Sequence, residues 1–452
     1  MAYLNKSVSS IRLDLPLSKA LAAMVVFLFS VGAMAKPLSM LDAVQTALVY
    51  NDELQAKQAS MMADKEGVTQ AWASIKPNVI FRYNTGYAKY KTNYGLGEEE
   101  DRYTRGTVSV IQPLYSHQRF KNIGLADQSV ESSEIQFALD QQTKTLEVLQ
   151  AYLELTKYLK LQKNYELEVE DHIVRVSRLN AMLERGLATK MDTLEANARY
   201  DELKANLIKN QNEVRVRKKQ LERILGVPAE EVLPADETLW KRAQTIVSHQ
   251  SWYDQALSHS LSIKLAASQY EESRLDVSVK RAAHYPELTL RAEASDIDSY
   301  ETTLVENRKV LVELTVPIYQ GGATQSKVEA AQYIRLNRQH LLSERKRELR
   351  VRLGEVLSRL EGSVANIEAL QKSVRSGSAY LEAAQKGLSY GLRGVFDVLE
   401  AKSRQYNAER KLVHEIYDNL AAQFEFLYLM GRLDATSVDY YLNQPFLVEN
   451  WM

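Results

Sequence analysis

Two long stretches without proline constrain the fold of this chain most strongly. The 452 residues include nine prolines, and none of them falls within residues 114–227 or 318–444. Because proline interrupts helices and an ordinary helix has about 11 residues, these stretches predict unusually long helices. Three sets of positions inside them, apolar except for Asn180, have coiled-coil spacing: Ile135, Leu139, Leu146, Leu149 and Leu153; Val169, Ile173, Val176, Asn180 and Leu183; and Val413, Ile416, Leu420, Phe424 and Leu427.

The chain contains the same pattern twice. Prolines, glycines and acidic residues recur in one order at offsets of 204 to 209 residues, which indicates a tandem duplication rather than chance similarity between coiled coils. We expect a first repeat at residues 36–230, a linker at 231–250, a second repeat at 251–431 and a C-terminal tail at 432–452. The linker and the tail are expected to form a belt. Glycines mark the predicted helical turns near residues 186 and 391: Gly186, Gly391 and Gly394.

Each repeat also contains a predicted β-hairpin, at residues 78–114 and 287–317. Apolar and polar residues alternate there, and strands of roughly ten residues have the length of a tilted transmembrane strand. Four strands are too few to close a membrane barrel, whose smallest examples have about eight strands. The pattern therefore predicts that several copies of the chain combine their strands. A soluble sheet packed on helices remains the alternative.

The helix lengths favour an elongated, hollow shape. A helix from about His117 to Glu184 would be roughly 100 Å long at 1.5 Å per residue. Two shorter helices, from about Ser39 to Lys76 and from Lys190 to Leu225, would match that length when they stack end to end. We expect each repeat to be a long helical pair with a hairpin at one end, so that several copies enclose a duct.

Composition excludes several classes of function. Residues 1–35 have the pattern of a cleaved secretory signal, with basic residues, an apolar run and a small-residue cleavage site. The chain has no cysteine, and its 57 basic residues balance 58 acidic ones, which argues against nucleic-acid binding. Residues 387–391 fit G-x-S-x-G, but a helical pattern precedes them instead of the strand that a hydrolase requires. We expect no enzymatic activity, cofactor or dedicated metal site.

Two segments resemble the TolC-like outer-membrane efflux duct family. They are residues 316–322, Val-Pro-Ile-Tyr-Gln-Gly-Gly, and residues 387–401, which are similar to the family's second periplasmic turn. The resemblance implies a mainly α fold with membrane β-strands: a homotrimer with a 12-stranded barrel in the outer membrane above an α-helical periplasmic tunnel. The expected strand–helix junction residues are Pro113, Tyr115, Pro317, Tyr319, Gly321 and Gly322.

The resemblance also implies partners and entrance residues. The expected partners are outer-membrane lipid, a periplasmic adaptor protein, and an inner-membrane ABC exporter or proton-driven efflux pump. Residues matching Asp192 and Arg393 take part in polar links that hold the family's tunnel closed. From spacing alone, Asp397 and Glu400 lie on one helix face, and a threefold axis would arrange them as an acidic ring. At Leu388 better-known members carry Tyr, so one closing contact is expected to be missing.

Two classes of function follow from the sequence. The first is a passive outer-membrane exit duct for drugs or secreted proteins. The second is a coiled-coil scaffold or adhesion protein of the envelope that forms no channel. Paired hairpins flanked by prolines favour the duct, since a scaffold has no use for strands that face lipid.

Overall fold

The computed structural model describes residues 37–91, 98–229, 231–247, 252–299 and 305–443. The predicted signal segment and the end of the C-terminal tail lie outside the described residues. The first half contains α1 (Met40–Tyr50), α2 (Asp52–Ala73), β1 (Asn78–Lys91), β2 (Glu98–Ser116), α3 (His117–Glu184) and α4 (Lys190–Leu225). A 3₁₀ helix (Glu237–Lys241) and α5 (Arg242–Val247) follow, and then α6 (Trp252–His259), α7 (Leu261–Ala282), β3 (Glu287–Ser299), β4 (Val305–Thr315), α8 (Ala323–Ser389), α9 (Val395–Leu429) and α10 (Ala435–Asn443).

The long helices of the first repeat have the predicted bounds, and the second repeat contains a matching pair. Helix α3 has 68 residues and α8 has 67, so each is about 100 Å long. Helix α3 packs against α4 and α8 packs against α9, which gives the two expected helical pairs. Among the described helices, none has an apolar stretch of the length needed to cross a bilayer.

The single helix expected between Ser39 and Lys76 is wrong, because the chain breaks at Asn51. The Asn51 side chain accepts a hydrogen bond from the Leu54 amide at 2.9 Å and donates one to the Ile224 carbonyl at 2.8 Å. Gly226 ends α4 with a φ of 76° and lies against the same point, where a Cβ atom would be 2.4 Å from the Tyr50 carbonyl oxygen. A contact between α1 and α4 therefore imposes the break.

The second repeat contains the equivalent break at Ser260, between α6 and α7. Gly431 follows α9 with a φ of 68°, and a Cβ atom there would be 2.3 Å from the His259 carbonyl oxygen. The Ser260 hydroxyl does not cap α7 and instead lies 3.0 Å from the Ser262 hydroxyl. The duplication thus preserves the close approach of a glycine to a helix break, but not the asparagine.

All four strands belong to one antiparallel sheet in the order β1-β2-β3-β4. The two predicted hairpins are present, and β2 also pairs with β3. Rows of paired residues alternate in character across the sheet. One row consists of Val79, Val110, Ala292 and Val310, and a row on the opposite face consists of Arg82, Thr107, Ser295 and Asn307. The first row is apolar on all four strands, and we call the face that carries it the apolar face, although Asp296, Glu306 and Arg308 lie farther from the helices on the same face.

The main apolar core lies where the linker and α10 pack against the long helices. Leu38 forms a parallel bridge with Val232, and the Tyr152 hydroxyl is within hydrogen-bonding distance of the carbonyl oxygens of Leu38 (3.0 Å) and Leu233 (2.6 Å). Buried polar side chains join α8, α9, α10 and the 3₁₀ helix: Ser363, Asn419, Gln423 and Tyr441.

In the C-terminal part of α3, the residues buried in the single chain differ from the apolar seam predicted from Val169 to Leu183. Ile173 is 49% exposed in the single chain, whereas Glu168, His172 and Leu179 are buried. Polar partners on α9 cover Glu168, and hydrophobic spacing carries no information about such partners. The seam on α9, from Val413 to Leu427, is buried as predicted.

Candidate functional site

The first helical turn follows α3. Gly186 has a φ of 70°, which favours glycine, and its amide donates to the Leu183 carbonyl at 2.9 Å. Thr189 and Asp192 then cap α4 reciprocally: the Asp192 amide donates to the Thr189 hydroxyl and the Thr189 amide donates to the Asp192 carboxylate. The backbone and side-chain hydrogen bonds of Thr189 lower the pKa of Asp192. Asp192 therefore stabilises the start of α4.

The second turn has the same construction with one difference. Gly391 has a φ of 72°, and the Leu392 amide donates to the Gly387 carbonyl at 2.8 Å. Gly394 precedes α9 and has no hydroxyl to offer, but its amide donates to the Asp397 carboxylate at 2.9 Å. Asp397 is thus the counterpart of Asp192 and holds the first turn of α9.

The expected closing residues do not contact each other within one chain. Among the described residues, Arg393 forms its ion pair with Asp397 at 3.8 Å, and Asp192 bonds to Thr189. Sequence reasoning gave no role to Gly387, yet a Cβ atom there would be 2.8 Å from Cγ of Arg393. The absence of a side chain at residue 387 therefore lets the stem of Arg393 lie across α8.

The two carboxylates expected in an acidic ring each have an arginine on their own helix. Asp397 is paired with Arg393, and the Glu400 carboxylate accepts a hydrogen bond from Arg404 at 2.6 Å. Both carboxylates remain accessible, since the side chain of Asp397 is 38% exposed and that of Glu400 is 52% exposed. They can face water near the turn, although the arginines offset part of their charge.

Leu388 and a group of exposed apolar residues lie at or beside the two helical turns. Leu388 packs beside Ala384, Val398 and Ala401, which form a small core between α8 and α9. Large apolar side chains extend into solvent at the end of both helical pairs: Leu187, Met191, Leu194, Tyr390 and Leu392.

The strand–helix junctions lie at the other end of the long helices. Pro113 and Tyr115 flank an irregularity in the pairing of β2, and the Ser116 hydroxyl caps α3. Pro317 and Tyr319 lie between β4 and α8, where Tyr319 is 85% exposed. Two glycines with positive φ, Gly321 and Gly322, turn the chain into α8.

A cluster of polar residues joins α3 to α9 between the helical turns and the apolar core. Arg410 donates to Glu168, which is 1% exposed, and to Asn164 at 3.0 Å, and its guanidinium lies 4.5 Å from the Tyr165 ring centre. Burial raises the pKa of Glu168 and outweighs the opposing effect of Arg410. The sequence gave no indication of this buried pair.

One turn farther along α3, Asp171 interacts with two residues of α9. It forms an ion pair with Lys402 and accepts a hydrogen bond from the Tyr406 hydroxyl at 2.7 Å. Burial opposes ionisation of Asp171, but the hydrogen bonds from Lys402 and Tyr406 prevail and lower its pKa. No group of three or more carboxylates and histidines that could hold a metal occurs in the described part of the chain.

His172 is a buried titratable residue beside this cluster. Its ring is 3% exposed, and its pKa is lowered by burial and by Arg175 on α3, Arg199 on α4 and Lys402 on α9, with Asp171 opposing. A histidine with a lowered pKa binds its proton more weakly in the folded state than in the unfolded state. Its contribution to stability is therefore lost as the pH falls below its ordinary value of about 6.5.

We expect the His172→Gln variant to lose less thermal stability than the wild type between about pH 7.5 and pH 5.5. Each unit of pKa shift corresponds to about 1.4 kcal/mol, so the difference is measurable by thermal unfolding in detergent. Glu168 and its partner Arg410 are present in both proteins, so the comparison isolates the effect of His172. The exposed His340→Gln is the control and should follow the wild type. Equal acid sensitivity of His172→Gln and the wild type would contradict the prediction.

Comparison with known proteins identifies the family. The model of the family described as outer membrane efflux protein matches residues 43–227 and again residues 252–432. The chain is 26% identical over 429 residues to the alkaline protease secretion protein AprF of Pseudomonas aeruginosa, covering 91% of this chain and 88% of AprF. It is 22% identical over 413 residues to the outer membrane protein TolC of Escherichia coli, covering 88% of this chain and 83% of TolC.

Solved structures show the same fold. The outer membrane protein VceC of Vibrio cholerae superposes with a TM-score of 0.73 at 16% identity, covering 87% of this chain and 96% of VceC. The long helical pairs and the small sheet thus form the same fold as VceC. The family match covers both repeats, and family members are channels rather than enzymes. The chain therefore belongs to the outer membrane efflux protein family, the TolC-like channels that lie in the outer membrane and extend into the periplasm.

Proposed function

We propose that three copies of this chain form a passive exit duct, with a 12-stranded barrel in the outer membrane and a tunnel of long helices below it. The observation that carries the proposal is the row of Val79, Val110, Ala292 and Val310, which is apolar on all four strands. Val79 is 66% exposed and Val310 is 73% exposed in the single chain. Side chains of this kind need lipid or a partner to cover them.

The edges of the sheet support the assembly of several copies. Strands β1 and β4 each have a neighbour on one side only among the described residues. An unpaired edge cannot lie in the hydrocarbon of a membrane, because its amides and carbonyls would have no hydrogen-bond partners. When β4 of one copy pairs with β1 of the next, three copies supply 12 strands and no edge is left.

We assign the far ends of the helices to the periplasmic entrance. In a trimer, three copies of Asp397 and Glu400 would surround the axis and attract cations. Asp192 and Arg393, which do not contact each other within one chain, are proposed to form closing links between neighbouring copies. The apolar tips of the turns, such as Met191 and Leu392, are exposed as a docking surface for a partner would be.

The duct depends on partners for energy. The sequence contains no G-x-x-x-x-G-K-[ST] motif, so it has no P-loop with which to use ATP. We propose docking to a periplasmic adaptor and to an inner-membrane ABC exporter or proton-driven pump. The names of the relatives include both protease secretion and outer-membrane proteins in general, so secreted proteins and small molecules are both candidate cargoes.

A pair of lysine substitutions on β4 tests the duct. Val310 lies on the apolar face and Asn307 on the opposite face of the same strand. We expect Val310→Lys to destabilise the membrane-inserted protein by about 2–4 kcal/mol, because a lysine would face the middle of the bilayer. Asn307→Lys should insert normally, since Lys309 already lies on that face.

The readouts are heat-resistant trimers in detergent extracts and single-channel conductance in planar bilayers. The wild type and Asn307→Lys should form trimers and conduct, whereas Val310→Lys should give fewer inserted channels. A wild-type protein that remains monomeric and soluble without detergent would contradict the duct and favour the scaffold. Equal behaviour of the two lysine variants would show that the apolar face does not contact lipid.

A further inference from the structure

The contacts between α3 of the first repeat and α9 of the second form an antiparallel series. Five sites of polar contact occur along the two helices. From the core toward the turns they are Thr143 with Tyr428, Lys157 with Asp418, Asn164 with Glu409 and Arg410, Glu168 with Arg410, and Asp171 with Lys402 and Tyr406. The two helices are thus held together by side chains at intervals over much of their length.

The series stops well before the turns. Between the described residues 172–199 and 376–401, no hydrogen bond or ion pair joins the first repeat to the second. Asp171 lies about 20 Å above the end of α3 at Glu184, from the helical rise of 1.5 Å per residue. Below Asp171, each helical pair is held together by contacts within its own repeat, such as the packing of Leu388 against Val398.

The last two links of the series are also among its least exposed. The side chain of Glu168 is 1% exposed and that of Arg410 is 11% exposed, while Lys402 is 21% exposed. If α9 moved away from α3, these charges would separate in a partly dry environment, where an unpaired charge is strongly unfavourable. The Oε1 atom of Glu168 has no hydrogen-bond partner even with α9 packed against α3, so Arg410 is its main compensation.

We propose that the ion pairs Glu168–Arg410 and Asp171–Lys402 form a clamp between the two repeats that limits how far α9 can move away from α3, and so sets the resting width of the entrance below it. The inference rests on the proposed duct, because a width matters only if the helices enclose a passage. The clamp residues are positioning residues: they act through the helices and need not touch the cargo.

Single-channel conductance of the reconstituted protein tests the clamp. Lys402→Gln removes one ion pair and should raise the conductance several-fold above the wild type. The charge-exchanged protein, with Asp171→Lys and Lys402→Asp together, should return toward the wild-type value. The control is Lys386→Gln, which removes an exposed ion pair with Glu382 inside α8 and should conduct like the wild type.

A cross-link gives a second test in which one polypeptide serves as its own folding control. The chain has no cysteine, so Asp171→Cys with Lys402→Cys introduces the only two thiols. The reduced protein lacks the ion pair and should show the raised conductance. Joining the thiols, by oxidation or with a short dithiol-reactive linker, should lower the conductance to the wild-type value, and the loss of free thiols measures the extent of joining.

The outcomes separate this inference from the proposed function. A wild-type protein that forms no conducting channel would contradict the duct itself. A wild type that conducts, with Lys402→Gln unchanged and with no effect of joining Cys-substituted residues 171 and 402, would overturn the clamp while the duct stands. A rise in conductance with Lys386→Gln as large as with Lys402→Gln would also overturn it, because any lost lysine would then suffice.

Discussion

Gly226→Ala should destabilise the protein far more than the same substitution at Gly186. Both glycines have a positive φ, 76° and 70°, so alanine meets similar backbone strain at each. Only at residue 226 would the new methyl group meet another atom, the Tyr50 carbonyl oxygen at 2.4 Å. We expect the free energy of unfolding to fall by about 1 kcal/mol for Gly186→Ala and by about 3–5 kcal/mol for Gly226→Ala. The larger loss would lower the thermal midpoint of Gly226→Ala by roughly 5 °C.

Thermal unfolding in detergent and the heat resistance of the oligomer on gels measure the difference. Gly431→Ala should behave like Gly226→Ala, because its Cβ atom would be 2.3 Å from the His259 carbonyl oxygen. Gly391→Ala should behave like Gly186→Ala, since nothing lies within 4 Å of its Cβ position. If all four variants lost the same stability, the close approach of the glycines to the helix breaks would have no energetic role.

Replacing Gln423 with methionine should also have a large effect. The Gln423 amide is fully buried, donates to the Leu239 carbonyl at 3.3 Å and to Asn419, and accepts from the Tyr441 hydroxyl. Methionine has a similar volume but cannot make these bonds. Removing one partner from a buried hydrogen bond costs about 1–3 kcal/mol, so we expect a total loss of about 3 kcal/mol.

The loss should appear first at the C-terminal helix. Because Tyr441 belongs to α10, the Gln423→Met variant should expose α10 to proteases before the long helices unfold. The control is Gln405→Met on the same helix, where the amide is only partly buried and bonds to Glu409 at 3.0 Å. Equal stability of the two variants would show that the buried chain of hydrogen bonds does not hold α10 in place.

The regular parts of the fold were predictable because they depend on local pattern. The absence of proline indicated α3 and α8, and the period-two segments indicated all four strands. The α9 seam from Val413 to Leu427 is buried as its spacing predicted. Gly186 and Gly391 have the positive φ that their places in the turns required. In each case the responsible signal lies within a few residues of the element itself.

The remaining features depend on contacts between distant residues. Asn51, followed by Asp52 and Glu53, has the composition of a helix start, but the contacts that hold the break come from Ile224 and Gly226, far away in the sequence. The buried pair of Glu168 and Arg410 is separated by 242 residues, and a spacing rule for apolar residues points to Ile173 instead. Asp397 was identified from its place on a helix face, but its hydrogen bond to Gly394 could be seen only in the structure.

The two helix breaks differ in a way that affects the mechanics of the molecule. In the first repeat the Asn51 amide fastens the joint to α4 and to the start of α2. In the second repeat the Ser260 hydroxyl is turned toward Ser262, and the start of α7 has no side-chain cap. We therefore expect the second joint to be the more compliant of the two, so that the duplicated halves are alike in architecture but unequal in stiffness.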